Sequence, residues 1–319
     1  MTVSQVPAAE VRIVRKPSGL HNHWLGGAIH TLEAGPDSRY AFSCTLATMA
    51  VDGGPAWHVH AREEEFFYIR RGRYTFEAAG SDPVTIGPGA LISLPVGVPH
   101  QFNCIEGQPV EKSRRTGTAF DSDQFGEVIL WTSPGGNAQF FLELSNPLSE
   151  DNDASVPPNI KAMSEVGRAY GITMLGPDLD ALAHIDDGLA GGRRASVATC
   201  DEAKSQPMLG GTGCVLATAS ATGGQCELVH LTLPPGATTP PLQHGRYGLG
   251  VVVLSGGVEV SGQSAPTDSL ISVPFGAAYS LHNPHNEPSE LLTLSTPGGL
   301  VEAWASGEQA GVFRGEIAE

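Results

Sequence analysis

His58-Val59-His60 places two imidazoles two residues apart, Glu65 follows five residues later, and His100 stands far downstream. Alternate residues of a β-strand point to one face, so His58 and His60 project together into a barrel interior. Three neutral imidazoles and one carboxylate form a donor set suited to a divalent transition metal. The acid must be chosen from three consecutive residues, Glu63, Glu64 and Glu65. Glu65 shares strand parity with Phe67 and Ile69. Glu63 has the same parity but lies nearer the turn, and Glu64 points outward on a regular strand, so both are expected to be solvated.

The residues around these four form two patterns. His58-x-His60, Glu65 and Gly72 resemble the first motif of the cupin superfamily. Gly89, Pro95-x-Gly97 and His100 resemble the second. Glu65 has the motif's spacing to Gly72. Two departures are small: Asp52 stands where the first motif usually has glycine, beside Gly53 and Gly54, and Asn103 falls one residue earlier than the usual asparagine. The resemblance implies a β-barrel whose interior holds one metal through His58, His60, Glu65 and His100.

The elements that must position these residues read as strands. Apolar or alternating runs bounded by Gly, Pro and Asp recur at Tyr40–Met49, Glu65–Arg70, Tyr74–Ala78, Ala90–Leu94, His100–Cys104 and Glu127–Thr132. A second series follows at Cys226–Leu233, Gly250–Leu254, Val258–Val260, Ser269–Val273 and Glu290–Leu294. The two series are copies. Leu25-Gly26-Gly27 recurs as Leu209-Gly210-Gly211, and the same spacing carries His60 onto His244 and Gly72 onto Gly256. Ser133-Pro134-Gly135-Gly136 recurs as Thr296-Pro297-Gly298-Gly299.

In the second copy Leu242 replaces His58, Leu249 replaces Glu65 and Tyr279 replaces His100, so only His244 survives. One histidine does not hold a metal. His244, Tyr279 and His282 are therefore a vestigial second site, which His282 and His285 could rebuild only by converging on His244. Between the copies, Ile160–Tyr170 and Pro177–Ile185 read as helical, and Gly191-Gly192-Arg193-Arg194 reads as a turn-rich linker. The expected fold is mainly β: two cupin barrels of the double-stranded β-helix (jelly-roll) type, joined by a partly helical connector. The expected boundaries are 1–148 for the metal-site barrel, 149–205 for the connector and 206–319 for the second barrel.

Composition narrows the function. Forty glycines, 24 prolines and only 7% aromatic residues suit a turn-rich β protein. A net charge of −16, with no basic stripe, argues against nucleic acid. Lys112–Arg115 is a short basic loop, with Arg114 and Arg115 candidates for a lid over an acidic substrate. The five cysteines make no Cys-x-x-Cys pair and read as reduced thiols. No leader-like or membrane-length apolar run occurs, so a cytoplasmic location is expected. The Met1–Asn22 arm is a candidate for strand exchange in a homodimer.

Over nearly its whole length the chain is similar to bicupins of the quercetin 2,3-dioxygenase-like group. The likeness is carried by the first-barrel motifs, by Ser133-Pro134-Gly135-Gly136 with Phe140-Phe141, and by Tyr170-Gly171-Ile172. It departs at Arg70-Arg71 and in the silent second barrel, which leaves the substrate open. The resemblance implies a dioxygenase that uses O2 on a phenolic, enolic or polyketide-like compound. One carboxylate on a divalent ion leaves a formal charge near +1, which favours an enolate oxygen. Phe67, Ile69 and Phe102 are expected to form the pocket walls. Glu65 is expected to have a raised pKa in its apolar surroundings and to act as general base. Iron(II) is the expected metal, with nickel, manganese, cobalt and zinc as alternatives. A cyclase, isomerase or lyase using the metal as a Lewis acid, and a non-catalytic binding barrel, are the competing classes.

Overall fold

The computed structural model describes residues 10–16, 20–24, 27–109, 124–144, 160–176 and 180–306. Leu25 and Gly26, the Lys112–Arg115 loop, Pro177, and most of the first nineteen residues lie outside the described residues.

The described chain forms two compact units. The first copy closes around two antiparallel sheets. In spatial order one runs Ser196–Thr199, Ala90–Leu94, Glu64–Arg71, Gln124–Ser133, Ser43–Ala50, Gly27–Glu33, Leu20–Trp24. The other runs Ile172–Met174, His58–His60, His100–Glu106, Arg73–Ala78, Val84–Ile86. The second copy repeats the plan. Its large sheet runs Arg12–Arg15, Ser269–Val273, Gly248–Ser255, Ser289–Thr296, Glu227–Leu233, Gly211–Ala217, Gln206–Met208. Two smaller sheets complete it: Leu242–Gln243 with Ala278–Tyr279, and Gln263–Ala265, Val258–Val260, Leu281–His282. The fold is mainly β, with two cupin barrels.

The unit boundaries differ from the division at 148 and 205. One unit holds the chain up to Arg15 together with Ala203 onward, and the other runs from Lys16 to Glu202. Edge strands explain this. Arg12–Arg15 precedes the first barrel in sequence but pairs with Ser269–Ser272 of the second copy. Ser196–Thr199, just before the second copy, pairs with Ala90–Ser93 of the first. The described strand Arg12–Arg15 of the N-terminal arm thus pairs within its own chain, covering one edge of Ser269–Val273.

The connector is likewise built into the first unit. Ile160–Ala169 is helical, but only Ala181–His184 (as a 3₁₀ turn) and Asp187–Ala190 are helical further on. Ile172–Met174 pairs with His58–His60, an addition the sequence pattern did not mark because three residues are too few to show a period.

Each barrel has its own apolar core. Phe67, Phe76 and Phe102 pack against one another in the first, with ring centroids 4.6 to 5.4 Å apart. The second is filled mainly by aliphatic residues such as Val229, Leu231, Val251 and Leu291. Each fully buried side chain of this kind contributes about 1.5–3 kcal/mol. Ala90–Leu94 and Ser269–Val273 are buried at every position, so their strands show as short apolar runs without alternation.

Two glycines show how tightly the site strands are set. A Cβ on Gly54 would lie 1.9 Å from the Phe102 carbonyl oxygen, so only glycine lets these two backbones approach. Gly89 has φ +86° but open space around it. Gly54→Ala is therefore expected to destabilise the protein by about 3 kcal/mol through overpacking. Gly89→Ala should cost about 1 kcal/mol through backbone conformation alone. Denaturant unfolding of both variants checks the order; equal losses would contradict it.

Candidate metal centre

Three strands deliver the four donors. His58 and His60 leave one face of His58–His60, His100 opens the neighbouring strand opposite His58, and Glu65 lies on Glu64–Arg71 opposite Leu94 and Thr132. All four side chains are buried, and their donor atoms lie within 4.8 Å of one another. His100 Nε2 sits 2.9 Å and His60 Nε2 3.8 Å from the same Glu65 Oε2.

The far side of each imidazole is held as well. His58 Nδ1 lies 2.9 Å from the Ala56 carbonyl, His100 Nδ1 3.0 Å from the Val98 carbonyl, and His60 Nδ1 3.4 Å from Glu63 Oε2. When each Nδ1–H donates to its acceptor, each Nε2 keeps its lone pair for the centre. This is the second-layer arrangement that orients metal-binding histidines. The Gly97 N–H donates to the His60 carbonyl at 2.8 Å and ties the second motif to the first.

Glu63 and Glu64, expected to be solvated, are both buried. Glu63 orients His60. Glu64 faces away from the centre, where Arg193 Nη2 reaches its Oε1 at 2.7 Å and the Val96 N–H donates to the same oxygen at 3.4 Å. Arg193 comes from the stretch read as a linker, and strand parity alone does not reveal a partner so distant in sequence. Burial still raises the Glu64 pKa, against the pull of Arg193 and the Val96 N–H.

Glu65 does not have the raised pKa expected of it. Burial pushes it up, but His60, the hydrogen bond from His100, and the charges of His100 and His58 outweigh burial and lower it to about 2. It is a permanent anion at neutral pH and a poor general base. Burial, then His100 and His60, hold His58 well below 6.5. Burial also opposes charge on His60, yet Glu65 and Glu63 win and raise its pKa. Three imidazoles and a fixed carboxylate fit a divalent cation. His58, His60, Glu65 and His100 are the residues that would hold it.

A cavity of about 40 Å³, counted as the space in which a water centre can move, adjoins the cluster. Phe67 and Phe102 line it. Ile69 is buried in the core beside it and is not part of its wall. The pattern reading missed most of the wall. Ile29, Thr45, Ala47, Met49 and Leu130 come from the large sheet, Ile172 and Met174 from the connector, and Asn137, Phe140 and Phe141 from the helix Asn137–Leu144. Strand alternation at Thr45, Ala47 and Met49 was the available signal. Among the described residues the lining contains no lysine or arginine. Asn137 is 1% exposed, and neither atom of its amide has a hydrogen-bond partner. An unsatisfied buried amide of this kind costs about 1–3 kcal/mol.

The second barrel repeats the frame without the donors. Leu242 pairs with Tyr279 as His58 pairs with His100, and the Gly276 N–H donates to the His244 carbonyl as Gly97 does to His60. His244 Nε2 lies 3.2 Å from Tyr279 Oη and 3.5 Å from Trp304 Nε1. Burial raises the Tyr279 pKa and lowers that of His244. His282 bonds to Thr238 Oγ1 and the Ala237 carbonyl instead. Among the described residues, His58, His60, Glu65 and His100 form the sole cluster able to hold a metal.

Comparison with known proteins agrees on the fold. A model of the cupin domain matches residues 45–111, which span all four donors. Among curated proteins none matches the chain. Several solved structures of oxalate decarboxylase from Bacillus subtilis share its architecture. One, a study of that enzyme's Mn(II) centres, has 15% identity over 94% of this chain and 79% of that chain, with a TM-score of 0.59. Another, at pH 4.6, has 15% identity over 92% and 78%, with a TM-score of 0.58. At this identity the likeness concerns fold alone. The chain therefore has the two-barrel cupin fold, with a three-histidine, one-glutamate metal site in its first barrel. No helix among the described residues is long and apolar enough to cross a membrane.

Two outcomes follow from this geometry. His100→Ala should lose most bound metal while His244→Ala retains about one ion per chain, measured by elemental mass spectrometry; equal loss in both would refute a single metal-binding barrel. The second concerns protons. At neutral pH Glu65 and His58 are already deprotonated in the metal-free protein, whereas Glu65 and Glu63 raise the pKa of His60 against burial, so metal must compete with a proton there. Metal binding should therefore release protons, and the release should grow as the pH falls. Calorimetry in buffers of different ionisation enthalpy measures this; no release, or a release that does not grow as the pH falls, would contradict it.

Proposed function

We propose that the first barrel is the active site of a metal-dependent dioxygenase acting on a small phenolic or enolic compound. The observation that carries this reading is the convergence of His58, His60, Glu65 and His100 at the wall of a largely apolar cavity. A divalent metal bound there supplies a centre of net charge near +1 for one anionic substrate oxygen and, when redox-active, a site for O2. Iron(II) is the first candidate; nickel, manganese, cobalt and zinc are the others.

The protein's own residues set the substrate's character. Glu65 stays ionised and balances charge, so the substrate is one whose enol ionises near neutral pH. Phe67, Phe102, Phe140 and Phe141 keep water from the reacting oxygens. The limited volume favours a single small ring or chain over a fused multi-ring flavonol, unless the walls move.

The likeness in fold to a decarboxylase favours a second reading, a lyase that uses the metal without consuming O2. An oxygen electrode separates the two. Protein loaded with iron(II), nickel, manganese or cobalt in turn should consume O2 with small acidic enols, and His58→Ala should lower the rate more than a hundredfold. Substrate turnover under nitrogen, without O2 uptake, would replace the dioxygenase with the lyase or an isomerase. A C2 pair with another copy of the chain is compatible with either reading.

A further inference from the structure

The internal duplication offers a control for deciding which cavity residues serve the metal-site chemistry and which serve the frame. The segments Ser133-Pro134-Gly135-Gly136 and Thr296-Pro297-Gly298-Gly299 align, so Asn137 corresponds to Leu300. Gly136 and Gly299 share a positive φ, +130° and +110°, ahead of helices Asn137–Leu144 and Leu300–Ser306. The sheet register aligns the neighbours too. Leu130 pairs with Thr45 where Thr293 pairs with Val229, so Thr45 corresponds to Val229.

The barrel that lost three of four metal donors thus also carries leucine in place of the asparagine and valine in place of the threonine. Leu300 is fully buried in the apolar core of that barrel. Trp304, which corresponds to Phe141, reaches His244. At these two positions the polar groups are lost with the donors, while Thr293 stands where Leu130 does and bonds to the Val229 carbonyl.

A structural role does not account for Asn137. Asparagine at a helix start commonly caps the free N–H groups, but Asn137 Oδ1 accepts nothing. In the second barrel Glu227 accepts the Val301 N–H at 2.9 Å, inside the helix; its counterpart Ser43 accepts the Gly136 N–H at 2.8 Å, one residue ahead of the first helix. The amide is left with two donor hydrogens and one acceptor oxygen unpaired, on a residue that lines the cavity shared with His58, His60 and Glu65 and also a smaller void beside Ser43 and Thr132.

We infer that Asn137 is a substrate-positioning residue, whose amide, beside Thr45, hydrogen-bonds an oxygen of a small anionic enol held at the metal. The inference rests on the proposed function and names the group that sets its specificity. A ligand lacking such an oxygen leaves the amide unpaired, and the site rejects it for that reason.

The test uses cobalt(II)-loaded full-length protein, with acetylacetone as the probe, followed by the visible absorption of the ion. Asn137→Leu installs the residue of the silent barrel, and Asn137→Ala removes the amide without adding bulk. Both variants should keep one cobalt per chain and bind acetylacetone at least tenfold more weakly than wild type. Metal-free Asn137→Leu should melt at or above the wild-type temperature, because it loses an unpaired buried amide. Affinity within twofold of wild type, or melting several degrees lower in both variants, would overturn the role given to Asn137. Cobalt-loaded wild type that ignores acetylacetone would overturn that role together with the enolate class. Failure of wild type to take up cobalt is a different result, and refutes the metal centre itself.

Discussion

Everything in the first barrel answers to one electrostatic constraint: three imidazoles and a carboxylate are held within 4.8 Å of one another and away from water. Left alone, such a cluster is costly, because buried charge is poorly solvated and like charges repel. Glu65 is tolerated as an anion because the histidines surround it. The histidines are tolerated because carbonyls and Glu63 accept at their outer nitrogens. The two layers are interdependent, and a divalent cation is the species that satisfies the inner one.

The same constraint explains the periphery. Glu64 leaves the centre on the opposite strand face and would be an uncompensated buried charge without Arg193. Arg193 is delivered by the segment that also supplies Ile172–Met174 to the edge of the His58–His60 strand and Ser196–Thr199 to the edge of Ala90–Leu94. The connector is thereby part of the site. It closes two sheet edges, contributes cavity wall and neutralises an acid.

The second barrel shows what the frame does when the constraint is lifted. Its turns, glycines and strand registers persist, while the donor positions hold Leu242, Leu249 and Tyr279. The surviving His244 lies between Tyr279 and Trp304, so an aromatic cluster takes the place of a metal cavity. Frame and chemistry are separable in this fold, because backbone pairing sets the one and a few inward side chains set the other.

How much of this was legible in the chain depends on the range of the interaction. The four donors, both barrels and most core strands could be read from residue type and local spacing, because strand alternation and glycine turns are properties of neighbouring residues. Three things could not. The burial of Glu63 and Glu64, the depressed pKa of Glu65 and the cavity wall from Asn137, Phe140, Ile172 and Met174 all depend on residues brought together from distant segments. Burial, charge compensation and cavity shape belong to the assembled barrel. The sequence by itself determined which groups bind metal; the tertiary structure decided their protonation, because pKa follows from neighbours in space.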